Sequence, residues 1–268
     1  MERDTQQVDP EIASKAEQAR RILMTPPRPR PSAEEERTLT QARRTSLDWL
    51  TAYEWGEGST VFAVHGWGGH SGQFAGFVDA LVPLGYRVAA VDAPGHGAST
   101  REVEVNILDF AAGVERAMTA LGGADVLVAH SLGCFVAARA IVRGLIAPAR
   151  VVFLAPTSSI VGTLERFARL LNLEEAEARL FIQLVEEHVG ATAADLDAAN
   201  TVSGVAIPLL ILHDPDDAEV PFSDAQAIAA SWSESRLISV RGVGHRGIVA
   251  SPDAIAMAVE FVQGISSS

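Results

Sequence analysis

The sequence predicts an α/β fold, with a mostly parallel central sheet flanked by helices and a helical cap inserted into it. Three observations carry this. Apolar runs of strand length (TVFAVH at 60–65, RVAAV at 87–91, DVLVA at 125–129, RVVFL at 150–154, IPLLIL at 207–212) alternate with segments of helical spacing. Apart from polar residues at their ends, these runs are continuously apolar, as strands buried on both faces of a parallel sheet are. The alternation breaks once, between Thr157 and Gly204, where only helical spacing remains. A chain of 268 residues accommodates one such domain with an insertion. The expected division is an extension over 1–45, a core over 46–156 and 205–268, and a helical cap over 157–204.

Each element has its own warrant. In the charged extension, Glu11 to Met24 carries Ile12, Ala16, Ala19 and Leu23 on one side, as a helix would. Pro26-Pro27-Arg28-Pro29-Arg30-Pro31 favours an extended polyproline conformation. Ser32 then reads as a helix cap, with Glu35 completing a capping box. The extension is expected to strap across the domain or to be partly disordered, ahead of any binding role. Ser46 to Trp55 is expected to hold a strand. After the first core strand comes Gly66-Trp67-Gly68-Gly69, then a helix over 71–84 with Phe74, Phe77, Val78 and Leu81 on one face. The strand over 87–91 ends in a loop of turn formers, Asp92 to Ser99. Helices follow over 106–121 and 132–143. In the cap, Leu164, Phe167, Leu170 and Leu171, then Leu180, Phe181, Leu184 and Val185, mark two helices. Its acidic residues, Glu174, Glu175, Glu177, Glu186, Glu187, Asp195 and Asp197, read as a solvated face. Beyond Leu212 come a polar loop over 213–221, a helix near 223–232, a strand over 236–240, the run Gly242-Val243-Gly244-His245, and a helix over 252–263.

Composition excludes several classes of function. A net charge of −13 argues against nucleic acid and anionic membrane as partners. Cys134 is the single cysteine, so neither an internal disulfide nor a cysteine metal cluster is expected. The first residues hold no apolar signal core and no apolar stretch is long enough to span a bilayer, which makes a cytoplasmic protein the expectation. No histidine pair has ligand-like helical spacing, and neither metal nor other cofactor is expected.

The chemistry centres on Val126 to Val136, VLVAHSLGCFV. A serine at the tip of a tight strand-to-helix turn takes positive φ, and residues two before and two after it must be small. Ala129 and Gly133 are. The helix after Ser131 aims its N–H groups at the serine, which suits a developing negative charge. Alone, this pattern equally fits a serine capping a helix behind a buried strand. A nucleophilic serine also needs a base, and the base an orienting acid. His245 follows the last strand and Asp217 the preceding one, giving the chain order Ser, Asp, His. All three fall at carboxyl ends of strands, where open α/β sheets bind ligands. Asp214 and Asp216 are rival acids in the same loop.

The pieces HGWGG (65–69), DAPGHGAS (92–99), AHSLG (129–133), HDPDDAEVP (213–221) and GVGHR (242–246) stand in one order. Over residues 60–263 the sequence thereby resembles the α/β-hydrolase superfamily, and looks most like its bacterial serine esterases with a helical cap. The resemblance implies the α/β-hydrolase fold and cleavage of carboxylic esters through an acyl-enzyme. It implies Ser131 as nucleophile, His245 as base, and the backbone N–H groups of Trp67 and Leu132 as oxyanion hole. The family's spacing selects Asp217 as the acid, four residues after His213 and four before Pro221. Ala129 departs from the glycine usual at its position. Trp67 shapes an acyl pocket or plugs its loop, and with His130, beside the serine, it is a candidate substrate-binding residue. His65 is expected to order the oxyanion loop, His70 to line the pocket, His96 to sit in a turn, His213 to cap a strand end and His188 to lie on the cap surface. Cys134 reads as a small buried hydrophobe. The implied partner is a small, apolar ester, and the sequence is compatible with a homo-oligomer. Thioesterase, lysophospholipase and carbon–carbon bond hydrolase activities share this triad. A non-catalytic ligand-binding protein of the same fold is the alternative from another class.

Overall fold

The computed structural model describes residues 9–100, 104–197, 202 and 204–264. Its strands are β1 (Arg43–Leu47), β2 (Leu50–Trp55), β3 (Ser59–Val64), β4 (Tyr86–Asp92), β5 (Val126–His130), β6 (Arg150–Leu154), β7 (Leu209–His213) and β8 (Ser235–Ser239). They form one sheet in the order β1-β2-β4-β3-β5-β6-β7-β8. The β1–β2 and β2–β4 pairs are antiparallel and the others parallel. The single strand expected over 46–55 is a hairpin. Asp48, at φ 57°, makes the tight turn that a short polar side chain tolerates. Arg43 and Arg44 on the exposed edge blunt its pairing with other chains.

Along each parallel strand, alternate residues enter two different cores. Phe62, Val64, Leu127, Phe153 and Ile211 join one, and Val61, Ala63, Val128, Val152 and Leu210 the other. Helices α3 (Ala75–Leu81) and α9 (Pro252–Val262) cover the second face, while α4 (Ile107–Ala120), α5 (Leu132–Val142) and α8 (Phe222–Ser231) cover the first. The helix expected over 71–84 is split into a tight turn at Ser71–Phe74, then α3, then a turn at Val82–Leu84. Pro83 has no N–H to continue the α ladder.

This layering fixes the site. The chain leaves β3 through α3 on one face to reach β4, then returns across β3 through α4 on the opposite face to reach β5. Right-handed crossovers require that change of face. The loops after β3 and β5 therefore diverge, leaving a crevice at the carboxyl ends of these neighbours.

A third core stands apart from the sheet. Helices α6 (Ile160–Leu170) and α7 (Glu175–Val189) pack with α1 (Pro10–Leu23) through Ala16, Ala19, Met24, Leu164, Phe181 and Val185. Within the described residues, 1–45 thus begin with a helix seated on α7. An extended segment over 25–32 follows, and then α2 (Ala33–Gln41). Ser32 and Glu35 exchange both capping-box bonds. Of the acidic residues expected on a solvated face, Glu174, Glu175, Glu187 and Asp195 are exposed, whereas Glu177, Glu186 and Asp197 are engaged. Glu177 is buried against Lys15 at 2.8 Å, Glu186 accepts from the Ala193 N–H at 2.8 Å, and Asp197 accepts from the Ile160 N–H at 2.7 Å.

Candidate active site

Ser131 sits between β5 and α5 with φ 53° and ψ −123°, a conformation sparsely populated for any residue with a Cβ. The turn is held from two sides. The Ser131 N–H donates to the Leu154 carbonyl at 2.9 Å. A Cβ added to Gly133 would stand 2.5 Å from the Val64 carbonyl oxygen and 2.6 Å from that of His65, so glycine is the residue that fits. A Cβ added to Gly66 would stand 2.8 Å from the Cβ of Ser131, so the Gly66-Trp67 backbone lies directly against the serine. Ala129 is fully buried, and its methyl is accommodated.

His245 follows β8, in a helical turn at Gly244–Gly247. Its Nε2 lies 2.9 Å from Ser131 Oγ, and its Nδ1 lies 2.8 Å from Asp217 Oδ2. Because Nδ1 faces a carboxylate, it carries the proton, and Nε2 is left to accept the serine O–H. Burial of Asp217 opposes its ionisation. Hydrogen bonds from His213 and His245, together with the Val220 N–H, outweigh that and hold its carboxyl well below the usual range. Asp217 Oδ1 accepts from the N–H groups of Glu219 and Val220, at 2.7 and 2.9 Å. Asp214 instead accepts from the N–H groups of Val243 and Gly244, at 2.8 and 2.7 Å. It braces the loop that carries His245. Asp216 is exposed, 3.8 Å from Arg241.

The remaining histidines are engaged locally. The His130 Nε2–H donates to the His245 carbonyl at 2.9 Å, and the two rings are 4.9 Å apart. His130 thus supports His245 from behind. His65 accepts the Ala93 N–H on Nε2 at 3.1 Å and donates from Nδ1 to the Gly66 carbonyl at 2.7 Å, tying the loops after β3 and β4 together. Asp92 extends that tie, accepting from the Ser71 N–H and Oγ–H at 2.7 Å each. His96 donates to the Pro94 carbonyl at 2.7 Å. The Trp67 ring meets His96 edge-on at 5.0 Å and lies 6.1 Å from Phe110, so it packs on the core while lining the cavity. His70 lines the same cavity, and His188 lies beside Arg20 at 3.3 Å. The Cys134 Sγ–H donates to the Ala129 carbonyl at 3.2 Å, and burial pushes the thiol well above its ordinary value, which makes it inert.

Two features of the site escape sequence reasoning. His213 caps its strand end and also reaches Asp217 Oδ2, at 3.3 Å, while donating to the Val220 carbonyl at 3.1 Å. The four-residue spacing of His213 and Asp217 was the signal available for it. The second is the roof. Ser131 and His245 open into a cavity of about 1020 Å³ lined by the loop after β3, by α6 and α7, and by residues 22–25, 27, 29 and 30 of the extension. Nothing in the sequence links those proline-rich residues to the serine. Among the described residues, no helix is long and apolar enough to cross a membrane.

The alpha/beta hydrolase family model matches residues 61–258. Over 247 residues the chain is 28% identical to the pimeloyl-[acyl-carrier protein] methyl ester esterase of Xanthomonas axonopodis pv. citri, covering 78% of this chain and 97% of that protein. It is 25% identical to the enzyme of the same name from Yersinia pseudotuberculosis, covering 78% and 94%. Among solved structures, the monoacylglycerol lipase of Paleococcus ferrophilus superposes with a TM-score of 0.63 at 20% identity, covering 81% of this chain and 99% of that one. The thioesterase domain of the curacin biosynthetic pathway superposes with a TM-score of 0.61 at 15% identity, covering 83% and 98%. The matched span runs from β3 to α9 and takes in the serine turn, the Asp217 loop and the His245 loop, and the chain belongs to the alpha/beta hydrolase family.

Proposed function

We propose that this protein is a serine hydrolase that cleaves carboxylic esters through an acyl-enzyme. The observation that carries the reading is the hydrogen-bonded line Ser131–His245–Asp217 at the floor of a largely apolar cavity. His245 takes the Ser131 proton on Nε2 as Oγ attacks the ester carbonyl carbon. The charge on the carbonyl oxygen is held by the backbone N–H groups of Trp67 and Leu132, each such donor being worth roughly 3 kcal/mol. The C–O bond to the alcohol breaks, and His245 returns the proton to the leaving oxygen. Water, deprotonated by His245, then attacks the acyl-enzyme, releasing the acid and restoring Ser131. Asp217 keeps the His245 Nδ1 proton in place and stabilises the imidazolium. The sequence needs no cofactor. The described residues of 157–204 act as the cap above the serine, and Trp67 contributes to the acyl side of the pocket. His130 supports the base rather than touching substrate, because its Nε2 is committed to the His245 carbonyl.

The relatives are named for a methyl ester on an acyl chain, so methyl esters of medium-length acids belong in the first screen beside p-nitrophenyl esters from acetate to palmitate. Wild type turns over members of this set, and Ser131→Ala loses at least roughly a thousandfold in kcat. A fluorophosphonate labels Ser131 in wild type. Labelling without turnover of any ester redirects the substrate class to thioesters, lysophospholipids or carbon–carbon bonds. Neither labelling nor turnover leaves a ligand-binding protein.

A further inference from the structure

Residues 1–45 lie outside the family match at 61–258, and ester hydrolysis alone gives them no task. Yet the segment from the end of α1 into the proline run is fastened over the serine. The Met24 carbonyl accepts the Val105 N–H at 2.8 Å, and the Arg28 Nε–H donates to the Gly95 carbonyl at 2.8 Å. Pro26 is buried beside Gly95. Pro27 sits so close to Gly68 that a Cβ added there would stand 2.7 Å from the proline ring. Gly68 belongs to the loop whose backbone lies against Ser131. The polyproline stretch therefore spans from the cap helices to the loops after β3 and β4. It reaches this position with its φ angles already fixed by proline, so little chain entropy is lost.

The faces it presents are apolar. Met24 is 1% exposed and packs with Leu164 and Val185 in the core shared by α1, α6 and α7, and Leu23 and Pro27 line the cavity beside it. At the rim, Ile22 of the extension and Leu170 of α6 remain 47% and 74% exposed although both line the cavity, which leaves an apolar mouth between extension and cap.

We propose that residues 22–29 are a substrate-selecting wall: the extension, not the hydrolase core alone, closes the cavity and sets how long an apolar group the ester can carry. This rests on the hydrolase reading of Ser131. The ligand class is an ester whose acyl chain extends well beyond acetyl, with its apolar part packed between Leu23 and Pro27, which Met24 backs from the core, and the inner faces of α6 and α7. Filling the wall with a larger side chain removes room for that part, whereas a short acyl group needs only the space at the serine.

The test uses the full chain as wild type, Met24→Trp and Pro27→Trp. The ratio of kcat/KM for p-nitrophenyl octanoate to that for acetate is measured. In parallel, intact mass gives the ratio of Ser131 labelling rates for dodecyl and ethyl fluorophosphonates. Both long-to-short ratios are expected to fall at least about tenfold in the variants, since pocket contacts worth one or two methylenes discriminate by that order. Should Met24→Trp fail to fold, the exposed Pro27 carries the same test. Unchanged ratios in folded Pro27→Trp, with Ser131 still labelled, overturn the wall and leave the nucleophile standing. Absence of labelling and turnover in wild type overturns the hydrolase reading and this one with it.

Discussion

At the scale of single residues, the acid loop separates two aspartates three positions apart by the atoms they touch. Asp217 meets the His245 ring and Asp214 meets the backbone beneath it. Asp217→Asn presents an amide that can offer N–H to Nδ1, which favours the wrong imidazole tautomer. kcat is expected to fall about ten-thousandfold with the melting temperature little changed. Asp214→Ala strands the Val243 and Gly244 N–H groups, so its main expected effect is a stability loss of about 1–3 kcal/mol by urea unfolding, with a smaller loss of kcat. Equal kinetic losses in both variants would overturn this division of labour. Gly133 is as constrained as the Ser131–His245–Asp217 line. In Gly133→Ala the methyl meets two carbonyl oxygens of the β3 end that cannot move without disturbing the loop beside Ser131. A destabilisation of at least about 1–3 kcal/mol is expected. Ala129→Gly, by contrast, is expected to cost near 1 kcal/mol or less. That Ser131, Asp217 and His245 would meet was legible because their order and strand-end positions constrain one another. The His213 bond to Asp217 was not, because a buried histidine at a strand end has many uses and only the folded packing chooses among them.

At the scale of elements, the strands buried on both faces were readable, since unbroken apolar runs leave few other structures. The β1–β2 hairpin was not, because its polar outer edge (Arg43, Arg44, Ser46) carries no apolar signal. The helices of the extension were legible from their own spacing and caps, but their seat was not. Contacts such as Lys15 with Glu177 or Pro27 with Gly68 join residues far apart in the chain, and no local pattern encodes them. The seat has an energetic signature. Phe181 is fully buried in the core that α7 shares with α1 and α6, and its ring lies 5.9 Å from that of Phe167. Phe181→Ala is expected to cost about 3–5 kcal/mol if these helices unfold with the sheet. If instead they open on their own, the global unfolding midpoint barely moves, while the amides of α1 and α7 exchange faster with solvent. Hydrogen exchange read by mass spectrometry distinguishes the two, and faster exchange confined to α7 would show that α1 is not held by it.

At the scale of the whole molecule, three buried histidines tie the fold to pH. Burial lowers the pKa of His65, and lowers those of His96 and His130 to about 3, below the ordinary value near 6.5. The sign follows from proton counting. Between those values the unfolded chain binds protons that the folded chain does not, so stability is full above about pH 6.5 and is lost as pH falls towards 3. Each such histidine contributes a slope of about 1.4 kcal/mol per pH unit. For His96 and His130 together this amounts to about 4 kcal/mol between pH 7 and 5, a large part of the roughly 5–15 kcal/mol that holds a typical domain. The carboxylates held low, Glu17, Glu104 and Asp217, act in a more acidic window, because the stability they lend is lost only below their ordinary range near 4. The interval from pH 7 to 5 therefore reports the histidines. Urea unfolding at pH 7, 6 and 5 is expected to show this fall in wild type. It should show a slope shallower by about 1.4 kcal/mol per pH unit in His96→Gln, which keeps a polar side chain but does not titrate. A wild-type stability that is flat between pH 7 and 5 would mean that these rings accept protons without leaving the fold. The ties from His65 to Gly66 and from His130 to His245, which hold the loops around Ser131, would then survive acid that the burial of these rings says they should not.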